Sequence, residues 1–234
     1  MSEPLRSFFF AVALCVVCSV LLTAASTGLQ RRQEHNMRLE KQRNVLKAVG
    51  LITAGKPLAE SQIEKIYTEK IKTFWVTPEG ELVDAQKRAD ADLPLYVRLE
   101  DQTIHTYAVP VESDGLWGKI YGYLALEKDG ATVAGFTVFQ HSETPGLGGE
   151  IEKEWFQKEW IGKKIVDKDG NFVSIRIARG EAGEAVSERM RPHTVDGISG
   201  ATLTGRYLTA GIRETLESYE PVSIRFRKNM IGVP

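Results

Sequence analysis

The sequence predicts an α+β fold: a single N-terminal transmembrane helix followed by one mixed α+β domain. Three observations lead there. Phe8 to Thr27 is an uncharged run of twenty residues. Close-set strand patterns fill Leu95 to Gln140, the last two joined by Lys128-Asp129-Gly130, a strong hairpin signal. Apolar residues at three- and four-residue spacing precede and follow that region, which is one face of a helix. A chain of 234 residues suffices for one ordinary domain plus an anchor. Its 42% hydrophobic and 26% charged residues are those of a globular protein, and a net charge of −1 supplies no basic field for nucleic acid.

The uncharged run is long enough to cross a bilayer core as a helix. Ten of its residues are Phe, Val or Leu, which together favour insertion by roughly 3–6 kcal/mol. The rival reading is a cleaved signal peptide, since Thr23-Ala24-Ala25 supplies small residues near a cleavage point. The run is longer than a usual signal core and only Arg6 precedes it, so an uncleaved anchor is the reading adopted. The boundaries expected are a tail over 1–7, a transmembrane helix over 8–28, a juxtamembrane helix or stalk over 29–50, and a folded domain over 51–234. Cys15 and Cys18 both fall in the anchor, so the remainder has neither a disulfide framework nor a thiolate metal site. Arg31, Arg32, Arg38, Lys41, Arg43 and Lys47 follow the anchor, and the positive-inside rule would place the domain in the cytoplasm.

Beyond the stalk, Ile63, Ile66, Tyr67, Ile71 and Phe74 predict a second helix from about Leu58 to Trp75. Thr77-Pro78-Glu79-Gly80 is a turn. Strands are predicted over Leu95–Leu99, Ile104–Val111, Lys119–Glu127 and Thr132–Gln140. Glu143-Thr144-Pro145-Gly146-Leu147-Gly148-Gly149-Glu150 is a turn leading to a helix through Ile151, Trp155, Phe156 and Trp160 to Gly162. Alternating Val173, Ile175 and Ile177 predict a strand over Phe172–Ala178. A polar loop spans Gly180–Pro192, and Val222–Arg227 reads as a closing edge strand.

Between that loop and the last strand stands Asp196-Gly197-Ile198-Ser199-Gly200-Ala201-Thr202-Leu203-Thr204. Leu203, Tyr207, Leu208, Ile212, Leu216 and Tyr219 then recur with helical spacing, so these nine residues form a turn feeding a helix N-terminus. Such an end carries unpaired N–H groups and a partial positive charge, and favours a phosphate. Gly197 and Gly200 admit close backbone approach, and Thr202 brings a hydroxyl. The plainer alternative is that Ser199 or Thr202 simply caps the helix.

Asp196 to Thr202 closely resembles the motif on which a flavin transferase esterifies FMN, through its phosphate, to the final threonine. Glu143-Thr144-Pro145-Gly146-Leu147-Gly148 upstream of Ser199-Gly200-Ala201-Thr202 is the pairing found in the covalent-FMN-binding family of the C subunit of the bacterial Na+-translocating NADH:quinone reductase. Gly115-Leu116-Trp117-Gly118 followed by Tyr121-Gly122-Tyr123-Leu124-Ala125-Leu126 is similar to that family too, as is the order of one anchor and one flavin domain. The resemblance implies a mixed α+β FMN-binding domain with FMN held covalently on Thr202. Asp196, Ser199, Gly200, Ala201, Leu203 and Thr204 would surround the attachment. It further implies that the chain sits in the bacterial inner membrane beside the other subunits of a respiratory complex, with its domain on the periplasmic side. Partner subunits would then override the charge bias.

A flavin needs its phosphate held, its ring shielded and one edge reachable, but no acid, base or nucleophile from the protein. That agrees with a chain showing no triad, P-loop, metal cluster or dinucleotide fingerprint; Gly146, Gly148 and Gly149 have the wrong spacing for GxGxxG. Gly146 and Gly148 flanking Leu147 would let backbone lie flat against a ring, with Thr144 bonding its polar edge, or else serve only a tight turn. Lys163 and Lys164 would pair with the phosphate or satisfy helix C-terminal carbonyls. His141 and His193 lie near the two stretches, as loop hydrogen-bonders or ring contacts. Among Trp117, Trp155 and Trp160, at least two are expected to be core.

Three functions follow. The first is an electron-transfer subunit, not catalytic alone, with NADH oxidation, quinone reduction and the ion path in other subunits; one span without a buried charge makes no ion channel. The second is the flavin subunit of the related ferredoxin:NAD electron-transport complex. The third is a membrane-tethered scaffold module without cofactor.

Overall fold

The structure is a computed structural model that describes residues 3–53, 58–180 and 186–231. The chain divides between Glu40 and Lys41. The N-terminal unit is the greater part of one helix, α1, which runs unbroken from Glu3 to Ala48. It is long and apolar enough near its start to cross a membrane. Residues 3–48, most of the expected tail, span and stalk, thus share one helix, and Cys15 and Cys18 are free and exposed on it.

The C-terminal unit is built on a six-stranded antiparallel sheet. β1 (Ile71–Val76), β2 (Leu82–Val83), β3 (Leu93–Glu100), β4 (Thr103–Asp114), β5 (Lys119–Glu127) and β6 (Val133–Gln140) are ordered β2-β1-β3-β4-β5-β6. Every pairing is antiparallel. The β5–β6 hairpin turns where Asp129 and Gly130 stand: Asp129 Oδ1 accepts the amides of Ala131 and Thr132 at 2.9 and 2.8 Å, and Gly130 has φ +61°.

Side-chain alternation divides the sheet into two faces. On one, Phe74, Leu95, Val97, Tyr107, Val109, Val111, Ile120 and Leu124 form the larger core. It is covered by α4 (Thr202–Arg227) and by Phe156 and Trp160. Leu208, Ile212, Leu216, Tyr219, Val222 and Phe226 are the buried stripe of α4. On the other, Tyr123, Ala125 and Ala108 meet α2 (Glu60–Lys70) and the end of α1, where Val45, Leu46 and Ala48, with Val49 just beyond, are buried.

Several elements differ from expectation. Ile71–Val76 is the strand β1, not the end of a helix; the spacing that linked Ile71 and Phe74 to α2 is coincidental, because Phe74 lies on the sheet face opposite Ile63. Val222–Arg227 is not an edge strand: α4 continues through Pro221 to Arg227. Tyr219, Val222 and Phe226 keep the helical stripe, while Val222, Ile224 and Phe226 also satisfy a period of two. Glu143–Glu150 leads first into a 3₁₀ turn (Gly148–Glu152) and then a single turn, α3 (Glu154–Lys158), rather than a helix to Gly162. The strand expected over Phe172–Ala178 contracts to β7 (Arg176–Ile177), paired in parallel with β8 (Thr194–Val195); Ser174 upstream has φ +63°, which interrupts extension. The loop expected over Gly180–Pro192 falls partly outside the described residues, and Glu188–His193 is a 3₁₀ turn.

Candidate functional site

The loop preceding α4 is held backbone to backbone. Ala178 N–H bonds the Val195 carbonyl at 2.9 Å and Gly197 N–H the Gly180 carbonyl at 2.8 Å. A Cβ on Gly197 would stand 2.3 Å from the Ala178 carbonyl oxygen, so only glycine permits that approach. Glu159, just after α3, accepts the Asp196 amide at 2.8 Å. Burial, and then the charge of Asp196, push the Glu159 carboxyl above its ordinary range. The start of α4 is fastened to the sheet: Ser113 Oγ donates to the Tyr207 carbonyl at 2.9 Å, and the Ile177 amide donates to Thr209 Oγ1 at 3.0 Å.

Thr202 is the first residue of α4, and its side chain is exposed. Neither Ser199 nor Thr202 caps the helix. The cap position is Ala201, which has no side chain able to bond the first-turn amides. The positive end of a 26-residue helix is therefore left for another group to meet.

A pocket of about 190 Å³ opens at this end. It draws together three separated stretches: Leu116 and Trp117 from the β4–β5 turn, Glu143, Thr144, Leu147 and Gly148 after β6, and Gly200 to Thr204; Gly146, also expected here, does not line it. Thr144, Leu147, Gly148, Gly200, Ala201, Thr202, Leu203 and Thr204, all singled out in the sequence, line it. The glycines keep it open. A Cβ on Gly148 would stand 2.5 Å from both Glu143 Oε2 and Thr204 Oγ1, and one on Gly200 2.7 Å from Leu147 Cδ2. Gly146 is exposed with φ +76°, as its turn requires.

Other expected residues lie elsewhere. Asp196 and Ser199 precede the pocket on the same loop without lining it. Lys163 Nζ donates to the Arg191 carbonyl at 3.3 Å, and Lys163 is not among the lining residues. His141 faces Glu152 at 3.3 Å, and His193 is buried with Nδ1 2.7 Å from the Lys164 carbonyl. Of the three tryptophans only Trp160 is core, stacked on Phe136 with centroids 4.2 Å apart. Trp155 is 46% exposed and Trp117 68% exposed, the latter beside the pocket; the expectation of two core tryptophans is corrected. A larger hollow of about 440 Å³, among Lys164, Asp167, Arg189 and His193, contains none of the residues on which the resemblance rests.

Glu143 was missed. It is only 5% exposed, yet its carboxylate reaches the other two stretches: Oε1 accepts the Trp117 amide at 3.1 Å and Oε2 accepts the Thr204 hydroxyl at 2.5 Å. Its own amide donates to His141 Nδ1 at 3.1 Å. In the sequence it is one more acidic residue at the head of a turn, and no spacing ties it to Thr204.

Comparison with known proteins bears on this region directly. The FMN-binding domain family matches residues 115–217, which span all three stretches. The chain is 33% identical over 229 residues to the C subunit of the Na(+)-translocating NADH-quinone reductase of Yersinia pestis, covering 85% of this chain and 83% of that one. It is 32% identical over 229 residues to the protein of the same name in Pseudomonas aeruginosa, covering 86% and 87%. The crystal structure of the Na(+)-translocating NADH-quinone reductase C subunit from Parabacteroides distasonis superposes with a TM-score of 0.70 at 30% identity, over 83% of this chain and 96% of the other. Shewanella oneidensis NqrC does so with a TM-score of 0.62 at 26% identity, over 82% and 96%.

Proposed function

Because the chain belongs to the family of the Na(+)-translocating NADH-quinone reductase C subunit, we propose that it relays electrons within such a complex through FMN joined to Thr202 by a phosphoester. The observation that carries this reading is the pocket at Thr202. It places a free hydroxyl, an uncapped helix N-terminus and two glycine-lined turns at one spot. A phosphate there would meet the positive end of α4, an attraction worth about 0.3–2 kcal/mol. Leu116, Trp117, Leu147 and Leu203 give the pocket apolar walls against which a planar ring can lie.

FMN would supply the redox chemistry, and the chain's own residues would hold and orient it. Thr202 provides the point of attachment. Ala201 and Gly200 leave room around it, and the Thr144–Gly148 turn closes the opposite wall. NADH oxidation, quinone reduction and ion passage fall to the other subunits, since α1 is the only helix among the described residues long and apolar enough to span a membrane. A flavin transferase would install the cofactor. The domain is assigned to the periplasmic side of the inner membrane, against the local excess of arginine and lysine after the span.

The mass of the peptide from Asp196 to Arg206 tests the attachment. It should exceed the unmodified mass by the FMN phosphoester in protein whose denatured gel band fluoresces under ultraviolet light. An unmodified mass in fluorescent protein overturns it. A dark band from cells possessing the transferase would favour the cofactor-free scaffold. The flavin subunit of the ferredoxin:NAD complex would share the Thr202 linkage; the names carried by the relatives favour the quinone reductase.

A further inference from the structure

The polar centre of the pocket is a carboxylate that flavin attachment does not require. Glu143 is 5% exposed, and both its oxygens accept hydrogen bonds, from the Trp117 amide and the Thr204 hydroxyl. Two acceptors in use is the pattern of an ionised carboxylate. Among the described residues no cation forms an ion pair with it; the nearest compensation is the first turn of α4, where Thr204 sits. The space around it is reserved. A Cβ on Gly115 would come within 2.5 Å of Oε1, and one on Gly148 within 2.5 Å of Oε2. A buried charge of this kind costs free energy unless its surroundings hold it, and three chain segments are arranged to do so.

We infer that Glu143 is a positioning residue that assembles the flavin pocket from its three segments and sets a fixed negative charge beside the ring. This rests on the reading that FMN occupies the pocket. Adding an electron to a ring next to that charge is disfavoured by like-charge repulsion, so Glu143 holds the flavin at a lower reduction potential than the same pocket would without it.

Glu143→Gln keeps shape and one acceptor while removing the charge, so it separates tuning from assembly. In the full-length flavin-loaded chain, spectroelectrochemical titration should show the reduced-to-oxidised ratio at fixed potential rising about tenfold, or 59 mV for a one-electron couple. A rise below twofold, or a fall, overturns the tuning. Thr204→Val retains the charge but removes a donor that disperses it, so the ratio should fall; should the glutamine variant not fold, a ratio that stays or rises in Thr204→Val overturns the tuning by itself. Assembly is read on the full-length chain made without the transferase. Amide exchange at Trp117 should accelerate at least tenfold in Glu143→Ala, where the acceptor is gone, and stay near wild type in Glu143→Gln. Equal protection in wild type and Glu143→Ala overturns the assembly. Wild type free of covalent flavin would defeat the FMN reading and the tuning with it, and the exchange result would still decide the assembly.

Discussion

Gly135 on β6 faces the carbonyl of Ala48 at the end of α1 so closely that a Cβ there would lie 2.3 Å from the oxygen. Further along the same strand, Thr137 Oγ1 donates to the Asn44 carbonyl at 3.3 Å. The last turn of α1 therefore packs on the sheet as a core element of the domain, with Val45, Leu46 and Ala48, and Val49 directly after it, buried. Gly135→Ala should force backbone from backbone and destabilise the domain by about 1–3 kcal/mol, as overpacking does. A chain beginning at Lys41 should unfold cooperatively in denaturant, whereas one beginning at Leu51 should lose that transition or show a midpoint well below it.

The opposite face is pinned by aromatic contact. Tyr107 and Phe226 stack with centroids 4.2 Å apart and planes 8° from parallel, and the Tyr107 hydroxyl lies 2.9 Å from Ser223 Oγ. Burial, foremost, pushes that phenol well above its usual range, so it stays neutral throughout ordinary pH. Phe226→Ala should cost about 3–5 kcal/mol through the cavity it leaves. Tyr107→Phe should cost only about 0.5–1.5 kcal/mol. Urea titrations of both variants check the order.

Much of this arrangement is legible in the residues, for reasons that differ by element. The β5–β6 hairpin is legible because Asp129-Gly130 has one favoured turn geometry. The start of α4 is legible because small residues give way abruptly to a helical stripe. Its end is not, since Pro221 suggests a break and Val222 and Phe226 fit either period. β1 follows α2 directly, Lys70 to Ile71, without a turn residue to mark the change. Of the pocket, the glycine- and threonine-bearing motifs are local and can be read. Glu143 bonds Thr204 across sixty-one positions, a relationship only the fold creates.

Glu159 should make stability depend on pH. Its carboxyl titrates above the ordinary 4.5 because burial and the Asp196 charge disfavour its ionised form, with the Asp196 amide and Lys163 pulling the other way. A raised folded-state value means that the contribution is complete below the unfolded value and is lost as pH rises through the folded one. Glu159→Gln keeps an acceptor for the Asp196 amide and removes the repulsion. Its Tm should therefore exceed wild type at pH 7, with the gap closing on acidification towards pH 4.5. A gap that widens in acid would contradict this assignment.

Gly148→Val should disturb the pocket without touching the point of attachment. A Cβ at 148 meets Glu143 Oε2 and Thr204 Oγ1 at 2.5 Å each, and the two further methyl groups of valine have less room still. The hydrogen bond between Glu143 and Thr204 should open. Flavin should remain on the denatured protein, because the bond to Thr202 lies elsewhere, while the absorption spectrum or potential of the native protein shifts. A folded variant with unchanged spectrum and potential would show that this turn does not touch the ring.

Thr202 carries the most direct prediction. Its hydroxyl is exposed at the first position of α4 and caps nothing, so Thr202→Ala removes one oxygen from an open surface and should alter stability by no more than about 0.5 kcal/mol. The same change should abolish flavin in the denatured gel band, because the phosphoester would have no acceptor oxygen. Thr202→Ser preserves that oxygen and should retain at least part of the fluorescence. Thr204→Ala should keep its flavin: its hydroxyl is buried against Glu143, turned to the protein rather than to an incoming phosphate. Ser199→Ala should lower the extent of modification if the transferase reads the whole exposed loop. The four variants separate attachment from folding, since circular dichroism should report the same fold in each. A fluorescent Thr202→Ala band would place the flavin on another residue.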